Sequence, residues 1–425
     1  MSLLLLEMKP RTGVAAASSS SSSADGEISN GNKLSSNVDD NNEPIPELPL
    51  HLIEQILCCI SPLESARFAT VCKSWSAIIS DRLAAAFAGP HLFVWGTPET
   101  DPTLRGTIVS VPLDGSTVVS GVLPTTATVP CRVRWRDTDG LLCISATPSG
   151  SLLAFADWWS SAVVLVNPLT GATRRVDLGE PSQRHVLASC GGDGDAFVSS
   201  MDDHHTQLVL NWKEPVDDGW TARTVASWSD GSWAHATIAS AARRGDRFYA
   251  LHKDGRVATV DAAAPPPLRM ELLPKPAGNK RVGGYHLIES TDGEVLLVRR
   301  LLADGWAQCF LCEQGRSVHN AAVVGFEVYA LDAPEGRRWS KVERLAGGRA
   351  LFVGSDSAFA VEAVGCRSNC VYFFGKNGDC KACKADTRNT LGVYSLEHRK
   401  VLFDHVLDES IARASIMWIL PSVVS

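Results

Sequence analysis

Between residues 44 and 84 apolar residues return every three to four positions; from about residue 90 onward they return every second position. The first spacing is that of a helix, the second that of a half-buried strand. In "PELPLHLIEQILCCI", Leu52, Ile53, Ile56, Leu57 and Ile60 fall on one helical face. The "SPLE" that follows predicts a helix start: Ser61 as cap, Pro62 at the first helical position and Glu64 three residues after the cap. Phe68, Val71, Cys72, Trp75, Ile78 and Ile79 then repeat the helical period. Two or three short helices in about forty residues enclose too little apolar volume to stand alone. Something else must cover the rest of that face.

The alternating runs beyond residue 90 each end in tight-turn chemistry. They are "TIVSVPLDGSTVV" (107–119), "AVVLVNPLTGATRRV" (162–176), "RFYALHKDGRVATVD" (247–261), "HLIESTDGEVLLVRR" (286–300), "FEVYALDAPEGRRWSKV" (326–342) and "LGVYSLEHRKVLF" (391–403). Units of this kind recur every 40–60 residues or so, the range of four-stranded propeller blades. The stretch 90–420 therefore predicts a mainly β fold, a β-propeller of about six blades with seven the neighbouring count. A sandwich of this size would need two domains and a visible linker. The "AAAPPPL" at 262–268 is too short for one and reads as a loop between blades.

Residues 1–43 carry "AAASSSSSSADGEISNGNKLSSNVDDNNE" and are low in apolar residues, which predicts a disordered tail. The chain thus divides into a tail (1–43), a small all-α domain (44–84) and a β domain (90–420). A net charge of −7 without a dense Lys/Arg stripe argues against nucleic acid or an anionic membrane as the main partner. No apolar run approaches the roughly 20 residues of a membrane span, and "LLLL" at 3–6 is too short for a secretory signal. Twelve scattered cysteines are not a disulfide framework. The expected compartment is nuclear or cytosolic.

The search for catalytic chemistry is mostly negative: there is no GxxxxGK[ST], GxSxG or HExxH pattern. "CGGDGDAF" (190–197) and "DDHHT" (202–206) read as a surface turn and a hairpin tip. Cys366, Cys370, Cys380 and Cys383 form C-x3-C-x9-C-x2-C, a spacing zinc could use. Against that, Val371–Phe374 between the pairs reads as a buried strand, leaving free thiols as the alternative. "CFLC" (309–312) reads as buried strand. Most of the twelve tryptophans, Trp158, Trp159, Trp212, Trp220, Trp228 and Trp233 among them, are expected in the core, with a minority lining a recognition face. No catalytic residue and no cofactor are assigned.

"LPLHLIEQILCCISPLESARFATVCKSW" resembles the F-box motif through Leu48-Pro49, Leu52, Ile56, Leu57, Arg67-Phe68 and the Val71-Cys72-Lys73-x-Trp75 end. His51 stands where that family more often has an acid, and Cys58–Cys59 is unusual. "WSKVERLAGGRALFVGSDSAFAV" (339–361), "NCVYFF" (369–374) and "LGVYSLEHRKV" (391–401) resemble the plant F-box proteins with a C-terminal KIB-type β-propeller, formerly a domain of unknown function.

The resemblance implies a helical hook that binds a Skp-type adaptor, and through it a cullin, with Leu48, Pro49, Leu52, Ile53, Ile56, Leu57, Phe68, Val71, Cys72 and Trp75 as the adaptor-binding residues. It implies that the propeller recognises an unknown protein substrate for an SCF-type (Skp–cullin–F-box) E3 ubiquitin ligase. The alternative is a non-degradative propeller interaction protein that binds or sequesters the adaptor or another partner. A propeller enzyme is a third reading, for which the strands show no regular ring of inward His, Asp or Glu.

Overall fold

The computed structural model describes residues 48–420 apart from connecting stretches, of which 114–126, 226–237, 304–322 and 377–388 are the longest. Its described residues form six antiparallel-dominated sheets preceded by two helices, α1 (Leu50–Cys58) and α2 (Lys73–Ala86). Residues 50–425 make one compact unit, so helices and sheets share it.

Each sheet is one blade. Blade two runs Leu142–Ala146, Leu153–Ala156, Ala162–Val166, Thr173–Asp177; blade three starts at Arg184–Ser189, blade four at Ile238–Arg244 and blade five at Val282–Glu289. Blades two to five meander from the inside outward, and the innermost strand of each touches that of the next. This is how a propeller protects its edges.

Blade one is built from both ends of the domain. The last strand, Ser415–Ile419, is innermost and pairs with His91–Gly96, aligning Met417 with Phe93 and Ile419 with His91. Blade six has five strands and departs from the meander. Ala358–Glu362 is innermost, Arg349–Val353 lies next, and Cys370–Lys376 pairs parallel to the latter with Phe352 opposite Tyr372.

The hairpins follow from the turn residues. In "NPLTG" the Asn167 side-chain oxygen accepts the Leu169 N–H at 2.9 Å, and the Asn167 N–H donates to Ala172 O. In "HKDGR" Gly255 adopts φ +85°, and a Cβ there would stand 2.3 Å from the Tyr285 ring. Only glycine fits both the turn and the close neighbour.

The core lies in the seams between blades. The blade six–one seam stacks Phe359, Phe352 and Tyr372, with Trp418 edge-on to Phe352 at 5.0 Å between centroids. Tyr372 also donates its hydroxyl to Leu113 O at 2.9 Å, tying blade six to the chain of blade one across that seam.

The "AAAPPPL" stretch does not separate blades. It joins the third and fourth strands of blade four, Val257–Asp261 and Met270–Leu273. Leu268 within it is buried and bridges to Val225 of blade three, so a short Pro-rich stretch became an interblade strap rather than a spacer.

Candidate functional site

The helical period of residues 50–86 gives two faces, and the two have different surroundings. On α1, Ile53 and Leu57, one turn apart, are each 2% exposed. With Ala69, and with Ile79 and Leu83 of α2, they enter one core with Phe93, Ile108, Leu153, Phe155, Val166, Leu169, Met417 and Ile419 of blades one and two. The floor that two short helices lack is therefore supplied by the chain itself, not by a partner alone.

The opposite face carries large apolar side chains in water. Leu52 and Ile56, again one turn apart, are exposed, with Leu50 at 57%. Phe68 and Val71 are exposed too, Val71 to 62%. Leu48 and Pro49, in the unit preceding α1, are likewise exposed. Six of the eight large exposed hydrophobic side chains among the described residues lie within residues 48–71. Scattered single residues of this kind need no explanation, whereas a concentration marks a contact surface.

The ten residues singled out from the sequence thus divide. Leu52, Ile56, Phe68 and Val71 are exposed, as are Leu48 and Pro49 in the preceding unit; Ile53 and Leu57 are consumed inside the chain. Cys72 and Trp75 are half-buried, and Trp75 lies against the inner core with its ring 5.6 Å from that of Phe68. Ile53 and Leu57 leave the candidate surface because an apolar stripe alone does not say what covers it. Leu50 joins it: its exposure is the signal, and the helical pattern gave it no place on the predicted face.

The geometry of the hook is held by Arg82. Its guanidinium donates to Leu57 O, which also accepts the Ile60 N–H, and at 2.8 Å to Ile60 O, just beyond the end of α1. A cation at a helix C-terminus also suits the helix dipole. The predicted Ser61–Pro62–Glu64 start lies outside the described residues.

Cys370 opens a strand and is 3% exposed; Cys366 is half-buried beside the same core. Burial pushes the Cys366 thiol up to about 11 and raises that of Cys370 as well. Cys380, Cys383, "DDHHT", "CFLC", Trp158, Trp159, Trp228, Trp233 and the tail 1–43 lie outside the described residues. Of "CGGDGDAF", Asp195 is buried and ion-paired with Arg174 at 2.8 Å. Trp212 and Trp418 are core residues and Trp220 packs against Phe197.

Residues 123–395 match the KIB1-4 β-propeller family. The chain belongs to that family. Residues 45–83 of this KIB1-4 propeller protein match the F-box domain, so both halves of the resemblance read from the sequence are shown. A protein of Arabidopsis thaliana named as an F-box protein, At1g12190, is 29% identical over 147 residues, 32% of this chain and 33% of that one. The chain thus spans about a third of the length of the curated relative it matches. Among solved structures it is similar to the β-propeller domain of Cps50 (Swd1) from Myceliophteria thermophila, at 12% identity and TM-score 0.37, over 74% of this chain and 85% of that one. It is also similar to AztD from Citrobacter koseri, at 9% identity and TM-score 0.36, over 78% and 99%. The fold assignment rests on the six sheets and the family match, not on these likenesses. The chain thus joins an F-box to a β-propeller. No helix among the described residues is long and apolar enough to cross a membrane.

Proposed function

We propose that this protein is the substrate-recognition subunit of an SCF-type E3 ubiquitin ligase. In this reading Leu48, Pro49, Leu50, Leu52, Ile56, Phe68 and Val71 bind a Skp-type adaptor, and the propeller binds the protein substrate. The observation that carries it is the concentration of exposed apolar side chains on α1 and on the segment leading to α2, beside helices whose other face is already packed. Such a surface suits a partner helix laid against it, with a few buried anchors carrying most of the energy.

The substrate would meet the propeller at the end remote from the helices. α2 leads into the start of the strand at His91, so the helices occupy the end where Leu153 begins and Ile419 finishes. The far end, marked by Gly96, Ala156, Met201, His252 and Leu302, is where the second strands of blades one to five finish. The mechanism is then proximity. Adaptor bound at one end and substrate at the other raise the effective concentration of a substrate lysine near the ligase's conjugating enzyme.

Capture of the full chain on an immobilised Skp-type adaptor tests this. The Leu52→Ala, Ile56→Ala, Val71→Ala variant should bind at least about a hundredfold more weakly, hot-spot losses of about 2 kcal/mol each more than sufficing. Because these side chains are exposed, its unfolding midpoint should stay near that of the wild type. A folded wild type that captures no Skp-type adaptor would overturn the proposal.

A further inference from the structure

The strand that closes the ring is also part of the floor under the helices. Met417 and Ile419 are 1% and 0% exposed and share one core with Ile53, Leu57, Ile79 and Leu83, although more than three hundred residues separate the two sets. α1 is nine residues long, too short to persist in water by itself. Its tertiary support consists of α2, held through Arg82, and the seam of blades one and two. α2 in turn ends at Ala86, five residues before the start of the strand that Ser415–Ile419 pairs with. The apolar support of α1 therefore includes the strand that closes the first blade, beside side chains of blade two.

We propose that ring closure by Ser415–Ile419 and formation of α1 and α2 in their fixed arrangement are one cooperative event, so that only a chain completed through its last strand presents the docking face. The docking consequence rests on the adaptor reading; the coupling itself lies within this chain. Its effect is a completeness check. A chain that is truncated, or open at its first blade, has a propeller with no ordered hook and is not delivered to the ligase.

Hydrogen exchange by mass spectrometry on the full chain reads the coupling without any adaptor. The Met417→Ala, Ile419→Ala variant leaves cavities beneath the helices and should speed exchange in 50–58 and 73–86 at least tenfold. A control, Leu296→Ala, Val298→Ala, empties the seam of blades five and six, where Leu351 and Val353 also pack. It should leave exchange in the helices at the wild-type rate. If the first double variant does not fold, Ile419→Val is read the same way, with a severalfold acceleration expected. The proposal is overturned if 415–419 loses protection while the helices keep theirs, or if both double variants speed the helices equally. Failure of the wild type to capture an adaptor would leave this readout unaffected, so the two ideas fail separately.

Discussion

Leu52 and Ile53 are adjacent, similar in size and similar in hydrophobicity, yet one faces water and the other is enclosed. A step of 100° along α1 makes that difference, and it is why substitution of a single apolar residue here has two distinct readouts. At Leu52 partner capture should suffer; at Ile53 the fold should. A second residue with a sharp consequence is His286. Burial and the neighbouring Arg300 lower its pKa from 6.5 to about 3, while Arg300, lowered to about 10, remains charged at neutral pH. The folded state thus disfavours the imidazolium. Its stabilising contribution is complete above pH 6.5 and is lost as pH falls from there toward 3. Between pH 7 and 5 the loss should be on the order of 2 kcal/mol. Urea midpoints at the two pH values, compared with His286→Gln, check this: equal pH dependence in both proteins would refute it.

Among the elements, α1 depends on a side chain from its neighbour. Arg82→Ala should destabilise the chain by about 1.5–3 kcal/mol, since it leaves carbonyls at Leu57 and Ile60 without their charged donor. Arg82→Lys should not restore it, because an ammonium cannot span two carbonyls as the guanidinium fork does. Denaturant melts of the two variants are sufficient, and full rescue by lysine would mean that charge alone acts there. The strands were the most readable elements. The hairpins at 162–177, 247–261 and 389–406 follow directly from period-two runs around tight turns. The order within blade six was not readable. Its parallel pairing of Arg349–Val353 with Cys370–Lys376 joins strands that are not hairpin neighbours, and no local pattern encodes that. The helices show the same limit: their period was plain, but whether a propeller or a partner covered each face depended on contacts from residues beyond 90.

At the scale of the whole molecule the ring has two locks in the same place. One is the strand pairing of Ser415–Ile419 with His91–Gly96; the other is the aromatic seam of Phe352, Phe359, Tyr372, Phe374 and Trp418. Trp418 belongs to both and is wholly buried. Trp418→Ala should therefore cost about 3–5 kcal/mol, roughly 5 °C in Tm for a domain of this size, measured by calorimetry. A loss below about 1 kcal/mol would mean that strand pairing alone holds the ring. Blade number followed from unit spacing, because each blade repeats one local problem of pairing and turning. Closure, by contrast, joins the two ends of the domain and leaves no local signature.

The exposed apolar side chains between Leu50 and Val71 have a further consequence for handling the protein. By itself the chain holds Leu50, Leu52, Ile56, Phe68 and Val71 in water, a patch that other chains of the same kind can cover. A preparation without partner should then become cloudy as it is concentrated, and co-production with whatever covers that patch is the natural route to clear, concentrated solutions.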